Sequence, residues 1–532
     1  MARNTFDSHN MHSSTGSFHP GKKRGKSSLS YRRGRRRRQE KLTLILIIVA
    51  ALILVAGLVF GILTLTKKLN QRENPTGNET DTTALTESET KDTSTTLEEE
   101  TEPVTITEEQ YILDVITEAD RTAAMYDYDG AIELIQAIDN YESYESLTEK
   151  IAEYEEAKTH LVKWSDNTQI THIFFHSLII DNELAFNSSD GDNYNQVMTT
   201  KLEFERIIQT MYDNGYVLVC LHDIAELQEQ EDGTMKMVSK PIYLPEGKTP
   251  FVLSEDDVCY YEYMDGDGFA TKLVIAEDGS VDNEYVQRDG TTVVGSYDVS
   301  PLIDDFVEEH PDFSYHGSKG ILAVTGYEGI FGYRTSEYSF GGNNEASNYE
   351  ANPNIEADRQ TASQVAQALK DSGWEIASHS WGHPDLAACD WDRFVWDCDH
   401  WNEEVAPLVG GTDIMIYPKG ADVGSWRGYY TTAEDGTVTA NERFAYMKSL
   451  GFDYFCNVDS TPIWVQIYAD YFRMGRRNLD GQRLYEALVA TDRVSDIINA
   501  ADVIDPERPT PVPGVTPTEA STEEEAGESA AE

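Results

Sequence analysis

Two short runs carry side chains of the kinds that hold metal ions and move protons: Ser254-Glu255-Asp256-Asp257 and His379-Ser380-Trp381-Gly382-His383. Histidines four apart present both imidazoles to one ion if the intervening residues make a helical turn. Two imidazoles and one carboxylate leave coordination positions open, the arrangement of a hydrolytic site that must also hold a water or a substrate oxygen. Adjacent aspartates in an extended segment point in opposite directions, so one can bind the ion while its neighbour takes a proton from the water. Each piece alone is a weak signal, because an Asp-Asp pair usually marks a solvated turn and two spaced histidines are usually incidental. A metallopeptidase would want a glutamate base inside the histidine motif, and Ser380-Trp381-Gly382 supplies none.

Both runs directly follow segments that read as strands. From Ile170 onward short apolar runs alternate with amphipathic stretches: Ile173-Phe174-Phe175, Tyr216 to Val219, Phe251-Val252-Leu253, Ile321 to Val324, Trp374 to Ala377, Ile414 to Tyr417 and Tyr454-Phe455. Phe204, Ile207, Ile208 and Met211 make one helical stripe, stopped by Asn214-Gly215, and a second helix ends at Leu369 and Gly373. Strands separated by helices predict a parallel α/β barrel or doubly wound sheet, in which functional side chains gather where strands end.

On these motifs the chain resembles the polysaccharide deacetylases of the NodB type, carbohydrate esterase family 4, over residues 170–502. That family carries Thr-Phe-Asp-Asp at one strand end, His-Ser/Thr-x-x-His at another, and Arg-x-Pro-Tyr further on. The first two correspond to the runs above, and the strand ending Ile416-Tyr417-Pro418-Lys419-Gly420 takes the third place. Phe175-His176 stands where many extracytoplasmic members have Tyr-His, and Gly373 to His379 reads like their entry to the second motif. The resemblance implies an irregular (β/α) barrel of seven or so strands and the hydrolysis of N-acetyl, or less readily O-acetyl, groups. Its substrate would be a polysaccharide such as peptidoglycan or another N-acetylated glycan.

Carried over residue by residue, the resemblance makes Asp256 the general base and Asp257, His379 and His383 the ligands of a divalent ion. Zinc is the default for two His and one carboxylate, with cobalt, nickel and manganese open on ligand type. Ser380 would hold the histidine turn, the backbone N–H of Lys419 would stabilise the oxyanion, and Tyr417 and Pro418 would meet substrate. Asp459 and Trp464 fall where the family has an Asp/Trp motif beside its groove. Three departures stand out. Ile416 replaces the arginine that braces the base, leaving Lys419, Arg334 and Arg473 as candidate braces. The last histidine is His400, so the family's late acid has no counterpart, and His176 is the candidate replacement. The interval from Asp257 to His379 is about twice the family's, with turns at Asp278-Gly279 and Asp289-Gly290 suggesting an inserted hairpin. The rival reading is a carbohydrate-binding or scaffold protein that keeps the barrel and has lost the chemistry.

Aromatic residues Trp381, Trp464, Tyr327 and Tyr333 are candidates for stacking on sugar rings. His172 and His222 are better read as hydrogen-bonded core residues. Five cysteines, Cys220, Cys259, Cys389, Cys398 and Cys456, match no zinc framework and read as small buried residues.

Composition divides the rest of the 532 residues. Residues 1–41 form a basic segment with twelve Lys and Arg, while the whole chain carries −52, so a phosphate backbone would be repelled by nearly all of it and nucleic acid is excluded as a partner. Residues 42–66 lack any charge and are long enough to span a bilayer, with Lys67-Lys68 in place of a cleavage site. The positive-inside rule then predicts a single-pass cell-membrane protein with a cytoplasmic amino terminus and an extracytoplasmic catalytic domain. A Thr/Glu-rich stalk without a core is expected over 67–107, a small helical module over 108–164, the deacetylase-like domain over 165–502 and a disordered acidic tail over 503–532.

Overall fold

The computed structural model describes residues 107–337, 352–459 and 461–518. The basic segment, the apolar run 42–66, the stalk as far as residue 106 and the tail from residue 519 lie outside the described residues. The expected single-pass membrane placement is corrected: among the described residues no helix is long and apolar enough to cross a membrane.

Seven strands of mostly apolar, often β-branched or aromatic sequence build the centre: β1 (Thr171–Phe175), β2 (Thr249–Glu255), β3 (Gly320–Val324), β4 (Trp374–Ser378), β5 (Ile414–Ile416), β6 (Tyr454–Val458) and β7 (Tyr471–Asn478). Each pairs in parallel with the next in the chain, and β7 returns to β1, closing a seven-stranded parallel barrel. Strands so enclosed are buried on both faces, which is why they read as continuous apolar runs.

Their alternation sorts side chains into two clusters. Val252, Ile321, Ala323, Ala377, Ile414, Ile416, Cys456, Phe472 and Met474 pack together inside. Phe251, Leu253, Leu322, Ile376, Met415 and Phe455 pack outward against the helices. Helix α4 (Lys201–Asp213), for example, buries Phe204, Ile207, Ile208 and Met211, starts at a capping box between Thr200 and Glu203, and stops at Asn214. Continued past the strand ends, the inward parity delivers His176 from β1, Asp256 from β2, His379 from β4 and Arg476 from β7 to one mouth of the barrel.

Ahead of the barrel, α1 (Glu108–Ala124), α2 (Tyr128–Gln136) and α3 (Glu145–Lys158) share a small core of Ala119, Ala131, Ile135, Leu147 and Tyr154. The Asp257 to His379 interval contains three antiparallel strands, Lys272–Ile275, Val281–Val286 and Thr292–Gly295, turning at Asp278-Gly279 and Asp289-Gly290 where the inserted hairpin was expected. The proline-rich segment after residue 502, expected to be disordered, differs over 503–518. The Arg508 side chain is buried against Glu203 and bonds the Asn195 and Met198 carbonyls, while Asp505 accepts from Thr200. Prolines there remove backbone donors without preventing side chains from docking. All five cysteines are free.

At the opposite mouth, His222 bridges Glu375 and Asp413. Burial alone would lower its pKa, but the hydrogen bonds to Asp413 and Glu375 outweigh it and push the imidazole up to about 10. Since the folded value lies above the ordinary 6.5, the clamp stabilises fully below about pH 6.5 and loses its contribution as pH rises through 10. With the side chain 44% exposed, screening trims the effect to about 1 kcal/mol. His222→Gln should therefore lower Tm by about 2 °C at pH 6, and the difference should vanish by about pH 10. A gap that widens with pH would show the clamp to be uncharged.

Candidate metal centre

Asp257, His379 and His383 bring one ligand atom each to within 4.8 Å of one another. The Asp257 carboxylate lies 3.9 Å from His383 Nε2, and the two imidazole centroids are 5.0 Å apart. Their supports leave the ligating atoms free. Tyr261 donates its hydroxyl to Asp257 Oδ1 at 2.7 Å, leaving Oδ2 toward His383. His379 Nδ1–H donates to the Ile416 carbonyl at 2.9 Å, which fixes the tautomer with the lone pair on Nε2. Burial pushes this imidazole down to about 4, against the pull of Asp256 and Asp257, so it is neutral at pH 7, as a ligand must be. Burial would raise the Asp257 carboxyl, but His383, His379 and His176 hold it below the usual range. This donor set fits a divalent ion of the zinc type.

The histidine run is not a helical turn, as its spacing suggested. Ser380 and His383 adopt left-handed φ values of 64° and 51°, and the loop is held by side chains. The amides of Trp381 and Gly382 donate to the buried Asp397 carboxylate at 2.8 and 2.9 Å, and the His383 amide donates to Ser380 Oγ at 3.0 Å. Asp257 (φ 59°), Tyr260 (φ 54°) and Lys419 (φ 57°) are also left-handed. Among the described residues, half of the ten non-glycine positions with positive φ thus lie in the loops that carry the site, where about 1–3 kcal/mol each of strain is held by the surrounding contacts.

Beside the ligands, Asp256 is buried and gripped by Arg476, whose Nη1 and Nη2 donate to the two carboxylate oxygens at 2.6 and 2.9 Å. Burial would raise this carboxyl, yet Arg476 first, then His379, hold it well below the usual carboxylate range. Arg476 also bonds Ser254 Oγ at 3.2 Å, which contacts His172 Nε2 at 2.9 Å, and its guanidinium lies over the Phe174 ring. None of the three braces suggested by sequence takes this role. Arg473 pairs with Asp422 at 2.6 Å, Arg334 donates to the Tyr260 carbonyl, and the Lys419 side chain is exposed. The outward parity of Arg473 on β7 excludes it, and the same parity, counted from Phe472 and Met474, would have pointed to Arg476.

His176 is half-buried at the end of β1 and acts electrostatically on Asp256, Asp257 and Asp480. Asp459 and Trp464 meet over Gly475, where an added Cβ would lie 2.9 and 3.4 Å from their side chains. The Asp459 amide donates to the Arg476 carbonyl at 3.2 Å, and Arg473 stacks on Trp464. Two readings change. The Tyr417 side chain is wholly buried, its hydroxyl 2.9 Å from that of Tyr429, and Pro418 is buried beside it, so they back the site instead of facing substrate. Trp381 is buried too, its indole N–H on Glu404, and cannot stack on a sugar.

Fold and site together define a closed parallel barrel with a candidate two-histidine, one-aspartate metal centre at one mouth. No protein-family model matches the sequence, and no curated protein matches it. Among solved structures the chain is similar to the Streptococcus pyogenes deacetylase PplD in complex with acetate, with a TM-score of 0.30 and 12% identity over 61% of this chain and 98% of that one. It is also similar to the BpsB deacetylase domain from Bordetella bronchiseptica, with a TM-score of 0.30 and 11% identity over 60% of this chain and 98% of that one.

Proposed function

We propose that the protein is a metal-dependent deacetylase that removes N-acetyl groups from a polysaccharide, peptidoglycan or another N-acetylated glycan. The observation that carries this reading is the convergence of Asp257, His379 and His383 beside an ionised Asp256 clamped by Arg476. Asp257, His379 and His383 would hold a divalent ion, which when bound would supply Lewis acidity toward an acetamide carbonyl. Asp256 takes the proton of the attacking water, and Arg476 keeps that carboxylate charged and oriented. The backbone N–H of Lys419 is assigned to the oxyanion. His176 is assigned the proton for the leaving amine, since it lies among the site's carboxylates and no late histidine exists. Asp459 and Trp464 form the groove wall next to Arg476.

The rival reading, a glycan-binding protein that has lost its chemistry, drew on the missing brace and the missing late histidine. Arg476 supplies a brace from another strand, which favours the enzyme. The test is acetate release by the purified full chain, stripped of metal and then reloaded with zinc, cobalt, nickel or manganese, on peptidoglycan and chitooligosaccharides. Release that returns with metal is expected, and His176→Ala should keep the ion and lose about 10²-fold or more. An ion-loaded protein that releases no acetate from either glycan would leave the binding reading in its place.

A further inference from the structure

Three tyrosine rings form a stack leading away from the metal centre. Tyr261 lies in the middle, 5.6 Å from Tyr263 at 20° and 5.3 Å from Tyr327 at 25°. Tyr261 is buried and bound to the ligand Asp257, so the stack is anchored to the site itself. Tyr263, at its outer end, is 52% exposed. A single exposed aromatic needs no explanation on its own. This one is held rigidly in place. It sits on the one-turn helix Glu262–Met264, whose Met264 packs with Tyr194, Phe269 and Ile179. The Glu262 amide donates to Glu328 at 2.9 Å, and Arg334 lies 3.3 Å from the Glu262 carboxylate while bonding the Tyr260 carbonyl. A flat apolar face is therefore presented beside the reaction centre with little conformational freedom left to lose on binding.

We propose that Tyr263 is the floor of a sugar subsite next to the metal centre, holding the ring adjacent to the one being deacetylated in a glycan. The proposal rests on the deacetylase reading for the position of the neighbouring ring. It is tested with the full chain as wild type, Tyr263→Phe and Tyr263→Ala. Acetate release from chitopentaose and calorimetric binding of chitopentaose to the metal-stripped protein are measured. Tyr263→Ala is expected to raise KM and weaken chitopentaose binding about tenfold, with kcat within about twofold, while Tyr263→Phe behaves as wild type. Unchanged KM and binding in Tyr263→Ala, or a wild type that does not bind chitopentaose, would overturn the subsite. Binding that depends on Tyr263 without acetate release would keep the subsite and retire the deacetylase reading.

Discussion

Asp256→Asn is expected to keep the bound ion and lose at least about a hundredfold in rate, whereas Asp257→Asn loses both ion and rate. The two residues are adjacent in sequence, yet they are held in separate environments. Asp256 follows the inward parity of β2 into the barrel mouth, where Arg476 occupies both of its oxygens. Asp257 turns out of the strand at φ 59°, gives Oδ1 to Tyr261 and faces His383 with Oδ2. An asparagine at 256 is nearly isosteric but has no basic oxygen of comparable strength, so the water proton has no acceptor. An asparagine at 257 removes the only carboxylate among the three ligands and with it the charge that offsets the ion. Metal content by atomic emission and acetate release, measured on the same preparations, separate the cases. Equal metal loss in the two variants would refute the division of labour.

Much of this arrangement was legible in the chain, and the parts that were not share a physical cause. Runs such as Phe251-Val252-Leu253 and Ile414-Met415-Ile416 announce strands because both of their faces are buried. β7 went unread because Arg473, Arg476 and Arg477 break its apolar pattern, and nothing local says that each finds an acceptor. Those acceptors are Asp422, Asp256 and Asp496. Arg476 lies 220 residues from Asp256, so the pair exists only once the barrel closes. The histidine spacing was visible, but the shape of its loop was not, because Asp397 and Ser380 replace helical hydrogen bonds there. Tyr417 and Trp381 looked like groove aromatics because ring type cannot reveal which way a side chain faces. The membrane placement was read from the apolar run 42–66, and no helix among the described residues is long and apolar enough to cross a membrane.

Arg476→Met is the second large effect, and its pH dependence distinguishes a brace from mere packing. In the native protein burial would raise the Asp256 carboxyl, and Arg476 overrides it. Remove the guanidinium and burial prevails, so the folded value moves above the ordinary 3.8 and the base is protonated over part of the working range. The rate at neutral pH should fall about a hundredfold or more, and the acidic limb of the rate profile should shift upward, with partial recovery as pH rises. Stability should change sign in its pH response. With a depressed carboxyl, the wild-type pair contributes above about pH 3.8 and is lost as pH falls below it. With a raised one, the variant is destabilised as pH climbs from 3.8 through the new value, by up to about 3–5 kcal/mol where the charge is left buried and unpaired. Arg476→Lys, which restores charge without the two-pronged grip, should recover the profile's position but only part of the rate. Arg476→Met combined with Asp256→Asn should regain most of the stability while remaining inactive. If the single Met variant keeps the wild-type pH profile, Arg476 is only filling space beside Phe174, and the ionisation of Asp256 is set by its histidine neighbours.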